Sequence, residues 1–198
     1  METNELIKLL KDDVSAFNEW RKVNPEHEIT FTEKNLCCTD LRGANLRGAT
    51  LLGADLRCAN LRYSNLRYAK LIGANLSDVE LRSADLYEAD LSNANLSGVN
   101  FSSAHLYSTD LRGADLFGSD LCGTDLHNAK FDFVKLQSGY EVYIHSGYMQ
   151  IGCERHSIYE WKSFSDFDIS KMDKDALEWW KENKKILFNI IKEKGFDR

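Results

Sequence analysis

A five-residue phase runs through the middle of this 198-residue chain without a slip. Every fifth residue from Phe31 to Leu136 is Leu or Phe, with nineteen Leu and three Phe. Two positions before each of these, from Leu36 onward, 20 of 21 residues are Ala, Ser, Thr or Val, the exception being Lys34. The residue just before the Leu is mostly Asp or Asn, as in Gly-Ala-Asn45-Leu46 and Gly-Ala-Asp115-Leu116. A helix repeats every 3.6 residues and a strand every 2, so neither keeps a period of five on one face. The chain must therefore turn within every pentad. With a short extended side and a turn in each, the Leu and the small residue point inward and the other three residues face out. Gly at the second position after Leu (Gly43, Gly48, Gly53, Gly73, Gly98, Gly113, Gly118, Gly123) suits a turn that demands positive φ, and Asn93 and Asn128 tolerate the same conformation.

These pentads resemble the pentapeptide-repeat family, whose A-[DN]-L-x-x signature recurs over more than half of the chain. The resemblance implies an all-β solenoid: a right-handed quadrilateral parallel β-helix with four pentads per coil and about five coils, stacked roughly 4.8 Å apart. Leucine would stack on leucine, leaving no ligand cavity inside. The Leu, Ala and Asn/Asp columns are then scaffold.

Three segments follow: an N-terminal α-helical cap over 1–28, the β-helix over 29–138, and a C-terminal β-hairpin plus α-helices, again a cap, over 139–198. Leu6, Leu9, Leu10, Val14, Phe17 and Trp20 fall at helical spacing, which predicts one helix over 3–22 with Thr3 as N-cap and a stop at Asn24-Pro25. Tyr140–Ile144 and Tyr148–Gly152 read as a β-hairpin turning at His145-Ser-Gly147. Ser157-Ile-Tyr-Glu160 has capping-box spacing, Ser165 or Asp166 starts another helix, and Asp173 caps a last helix that stops at Gly195. Through IGCERH and ALEWW, this tail resembles one carried by bacterial and phage-borne members of the family.

A formal charge of −6 argues against indiscriminate attachment to nucleic acid or membrane. The N-terminus lacks the basic-then-apolar order of a signal peptide, and no apolar run reaches the roughly 18 residues of a membrane span. The five cysteines form an odd set without secreted-framework spacing, which fits reduced thiols and a cytoplasmic protein. Cys153 and His156 have C-x-x-H spacing, but no closed set of zinc ligands accompanies them. No base-orienting group marks them as a nucleophilic pair either. Cys153 reads as a small buried side chain, and Cys38 and Cys58, one coil apart, as free thiols. The expectation is no enzyme, no cofactor, no metal and no catalytic residue.

The family's best-known members mimic acidic DNA and bind type II topoisomerases. Residues 34–84 carry eight basic against four acidic side chains, net +4, whereas residues 85–138 carry three against eight, net −5. The first half is thus a poor DNA mimic, and DNA topoisomerase is the disfavoured partner. The favoured reading is a rigid display scaffold for an unidentified protein partner, monomeric or weakly dimeric. With twenty residues per coil, Arg42, Arg62 and Arg82 form one outward column. Arg47 and Arg67 run into Tyr87 and Tyr107 on the adjacent side, flanked by Tyr63 and Tyr68. This basic, aromatic patch is the candidate binding surface.

Overall fold

The computed structural model describes residues 1–116, 118–130, 134–138, 140–145, 148–173 and 175–194. The chain divides into two compact units, Met1–Asp132 and Phe133–Arg198.

In the first unit, parallel β-bridges join the residue before each Leu or Phe to its equivalent twenty residues later, from Thr30↔Thr50 to Asp110↔Lys130. Twenty residues at five per side make four sides per turn. The backbone donors of a pentad are all accounted for, as buried N–H groups must be. Leu41 N donates to Asn60 O at 2.8 Å, Gly43 N to Arg62 O at 2.9 Å, and Asn60 N to Thr39 O at 3.0 Å, which builds the ladder between coils. Ala44 N closes a turn onto Leu41 O at 3.1 Å. The remaining donor, Arg42 N, goes to the Asp40 carboxylate at 3.3 Å. That last bond recurs along the rod, from Cys37 N on Asn35 to His127 N on Asp125. It is the reason for Asp or Asn before the Leu: the side chain supplies the one acceptor that the ladder does not.

A closing bond to the fourth residue with positive φ at the third is a type II turn. Gly43 has φ +67°, as expected of a glycine turn. Glu33, Cys38, Cys58, Tyr63, Tyr68 and other non-glycine residues hold the same conformation, so the turn is imposed by the coil rather than by glycine. The inward leucines from Leu36 to Leu106 are fully buried. The inward hydroxyls of Thr109 and Thr124 donate to Leu86 O and Phe101 O of the preceding coil at 2.8 and 3.0 Å.

The N-terminal segment forms two helices, α1 Thr3–Asp12 and α2 Val14–Val23, instead of the single one expected. Asp13 breaks them: it is extended (φ −153°) and its carboxylate accepts from Ala16 N at 2.9 Å, capping α2. The N-cap of α1 is Glu2, reciprocally bonded with Glu5, rather than Thr3. Leu6, Leu10 and Phe17 are buried as the spacing predicts, and α2 stops before Asn24-Pro25. Two side chains of α2 complete the first coil. Asn45 N, whose ladder partner would lie one coil earlier, donates to the Asn18 side-chain oxygen at 2.8 Å, and Asn18 Nδ2 donates to Gly43 O at 2.9 Å. Arg21, only 9% exposed, donates through Nη2 to Arg47 O at 2.8 Å.

The second unit contains an antiparallel sheet in the order β1 Val134–Ser138, β2 Tyr140–His145, β3 Tyr148–Ile151 and β4 Glu154–Ser157. The expected hairpin is β2–β3, with Val142 opposite Ile151. Strands β1 and β4 were not anticipated. Leu136 keeps the pentad phase yet lies in β1, opposite Val142, in the second compact unit. The helices are α3 Ile158–Ser163 and α4 Asp166–Ser170, each opened by a serine capping box, and α5 Ala176–Lys194. The expected Ser146-Gly147 turn and Gly195 stop lie outside the described residues. Trp161 and Trp180 pack at 5.3 Å within a core of Val142, Ile144, Met149 and Ile191. Trp161 Nε1 donates to Met149 O at 2.6 Å. No described helix is long and apolar enough to cross a membrane.

Cys37, Cys38 and Cys58 are free thiols. The expectation of a wholly reduced set is corrected in both units: Cys122 in the first is disulfide-bonded, and so is Cys153 in the second, which is exposed rather than a buried thiol.

Candidate interaction surface

Twenty residues separate successive members of an outward column, so identical positions in neighbouring coils come within ring-stacking distance. The column that starts at Arg47 uses this fully. Arg67 lies over the Tyr87 ring at 4.1 Å, Tyr87 stacks on Tyr107 at 5.4 Å and 4°, and Tyr107 stacks on His127 at 5.3 Å. His127 was missed in the sequence, although it stands twenty residues after Tyr107. Tyr68 joins the column from the turn, edge-on to Tyr87 at 5.6 Å and with the Arg47 guanidinium 5.2 Å from its centroid. On the adjacent side Arg62 reaches Tyr63 at 5.8 Å. Arg82 is exposed.

The arginines are not equivalent. Arg42 is paired through two nitrogens with Asp40, Nη2 to Oδ2 at 2.7 Å, and this bond holds the Asp40 carboxyl below its usual range. Arg67 bonds Asp85 at 3.1 Å, which raises the Arg67 pKa. Hydrogen bonding to Glu88, reinforced by desolvation, pushes the Tyr87 phenol up. Arg47, Arg62 and Arg82 have no ion-pair partner among the described residues. Tyr63 and Tyr68, 61% and 38% exposed, sit at φ 61° and 60°, where a bulky side chain is strained. The ring and guanidinium contacts join Arg47, Arg67, Tyr68, Tyr87 and Tyr107 on one face and Arg62 with Tyr63 on the next, and Arg42 and Arg67 are the two candidate arginines already bonded to a carboxylate.

The model of pentapeptide repeats matches in overlapping stretches from residue 29 to residue 138, more than half of the chain. This chain belongs to the pentapeptide-repeat family. Membership carries with it the right-handed quadrilateral β-helix that the twenty-residue bridges outline. Among solved structures, it is similar to the pentapeptide-repeat protein Rfr23 of the cyanobacterium Cyanothece 51142, at 26% identity over 53% of this chain and 82% of that one, with a TM-score of 0.45. It is also similar to HetL of Nostoc, a pentapeptide-repeat protein involved in heterocyst differentiation regulation, at 34% identity over 52% of this chain and 54% of that one, TM-score 0.22. QnrB1, a plasmid-mediated fluoroquinolone resistance protein, aligns at 21% identity over 52% of this chain and 67% of that one, TM-score 0.23. A search of curated proteins found no match.

Outside the pentapeptide repeats, Cys153 and His156 meet different neighbours. Cys153 lines a cavity of about 280 Å³ together with Trp161, Trp179 and Trp180, and His156 is not among its lining residues. The His156 ring instead meets Trp161 and Phe164 edge-on at 5.3 and 4.8 Å.

Proposed function

We propose that this pentapeptide-repeat protein is a non-enzymatic interaction scaffold that binds an acidic protein surface through its two adjacent arginine and tyrosine faces. The observation that carries the reading is the placement of Tyr63 and Tyr68: bulky, exposed rings at turn positions where glycine is the low-cost choice, each beside a guanidinium. Aromatic and arginine side chains are favoured interface anchors. Residues 1–28 serve as the cap of the first coil. The test is reversal of Arg62→Glu with Arg67→Glu, followed by affinity capture. Wild type retains a partner that salt releases, and the double variant, still folded, does not. Equal capture by both proteins would sink the proposal. A gyrase supercoiling assay addresses topoisomerase binding, which the net +4 of residues 34–84 disfavours.

A further inference from the structure

Two grooves flank the tyrosine edge where the helices meet the first coil, and they differ in charge. The groove beside Tyr63 is lined by three carboxylates, Asp12, Asp13 and Asp40, against Lys11 and Arg42, with Arg42 already bonded to Asp40. The groove beside Tyr68, about 520 Å³, is lined by Arg21, Lys22 and Arg47 against one carboxylate, Glu26, with Lys22 already bonded to Glu19 outside it, so its unpaired cations are Arg21 and Arg47. Its floor is Gly48, where an added Cβ would meet nothing within 4 Å.

Arg21 makes this groove more than a set of surface cations. It is 9% exposed, and Nη1 and Nη2 are committed to His27 O and Arg47 O at 3.0 and 2.8 Å. Its Nε finds no acceptor, and no carboxylate pairs with it or with Arg47 among the described residues. Burial and the Arg47 charge both lower the Arg21 pKa. Two arginines joined through the Arg47 carbonyl, neither of them ion-paired and one of them buried, favour an anion nearby.

We propose that the Tyr68 groove is a carboxylate pocket that receives an Asp or Glu side chain of the protein partner, with its methylene stem on Tyr68 and its carboxylate at Arg47. This rests on the interaction face proposed above and names where that face reads charge. A partner carboxylate, flat and singly charged, matches the exposed edge of Arg47, while the Arg21 charge adds to the field behind it.

The test uses the full chain and dye-labelled hexaglutamate, hexaglutamine and inorganic phosphate, read by fluorescence anisotropy. Hexaglutamate is expected to saturate the protein and to weaken as salt rises, and hexaglutamine not to bind. Asn93 and Asn128 already occupy the same turn position at φ 57° and 58°, so Gly48→Asn keeps the backbone while filling the groove. It is expected to weaken hexaglutamate by about ten-fold or more, with a cooperative melting transition lowered by no more than a few degrees, as for Gly43→Asn. Gly43→Asn, which fills the Tyr63 groove, is expected to change it less than about two-fold. Absence of saturable binding, equal binding by Gly48→Asn and wild type, or displacement of hexaglutamate by equimolar phosphate overturns the pocket. If the Gly48→Asn result fails while reversal at Arg62 and Arg67 still abolishes partner capture, the face stands and the pocket does not. The opposite pair of results retires the face and keeps the pocket.

Discussion

At Leu86 the side chain is fully buried between coils, and its carbonyl accepts the Thr109 hydroxyl of the next coil at 2.8 Å. Leu86→Asp would bury a carboxylate without a partner, at several kcal/mol, comparable with the stability of a whole domain. The variant is expected to be insoluble or unfolded by circular dichroism, and a cooperative thermal transition would refute the inward assignment. Tyr63 is the opposite case. Its left-handed backbone costs about 1 kcal/mol, and its 61% exposed ring meets only Arg62 at 5.8 Å among the ring contacts described. After the extra entropy of an unfolded glycine, Tyr63→Gly should leave stability equal or raise it by up to about 1 kcal/mol. Chemical denaturation checks this, and a clear loss would mean that the ring holds the coil.

Helix α2 shows why the ends were harder to read than the repeat. The inward Leu and small residues recur so often that their faces are legible from spacing alone. Asn18 and Arg21 follow no period, because their role is to imitate the missing coil below Asn45 and Arg47. A side chain standing in for a strand leaves no pattern in a sequence. Asn18→Ala strands Asn45 N and Gly43 O, so it is expected to cost about 1–2 kcal/mol, readable as a drop of a few degrees in melting temperature. Strand β1 was missed for a related reason: Leu136 obeys the pentad phase, yet Val134–Ser138 pairs antiparallel with β2. The Asp or Asn before each Leu was visible in the sequence, but its purpose, accepting the N–H two residues on, needed the ladder.

Over the whole molecule, the carboxylates with lowered pKa share one pattern. Asp40, Asp55 and Asp110 are held down first by hydrogen bonds from Arg42, Arg57 and Arg112, and Glu160 and Asp168 by bonds from Ser157 and Ser165. Each contributes stability that is present above the unfolded carboxylate range and is lost as pH falls through the lowered folded value. The melting temperature is therefore expected to be flat between about pH 7 and 5 and to fall below about pH 4. These groups are close to the surface, so the fall should be gradual, and loss of stability between pH 7 and 5 would point to other groups. The columns Arg42–Arg62–Arg82 and Arg47–Arg67–Tyr87–Tyr107 were legible because one number, twenty, relates their members, with Tyr63 and Tyr68 one position on from Arg62 and Arg67. What the sequence did not disclose was which arginines are already neutralised, since Asp40 lies two residues from Arg42 but Asp85 reaches Arg67 from the next coil.

The twenty-residue bridge also makes the rod a counting device. Removing residues 71–90 excises one full turn, so Leu91 takes the seat of Leu71 and Tyr107 arrives directly over Arg67. Removing only 71–75 keeps every leucine in phase but rotates all later faces by a quarter turn, which would bring Tyr87 over Arg62. Both shortened proteins should fold, judged by circular dichroism, yet only the first should keep an Arg–Tyr column in its original place. Length changes in such a chain are thus coarse gears: five residues is the tooth that preserves the core, and twenty is the full revolution that preserves the surface.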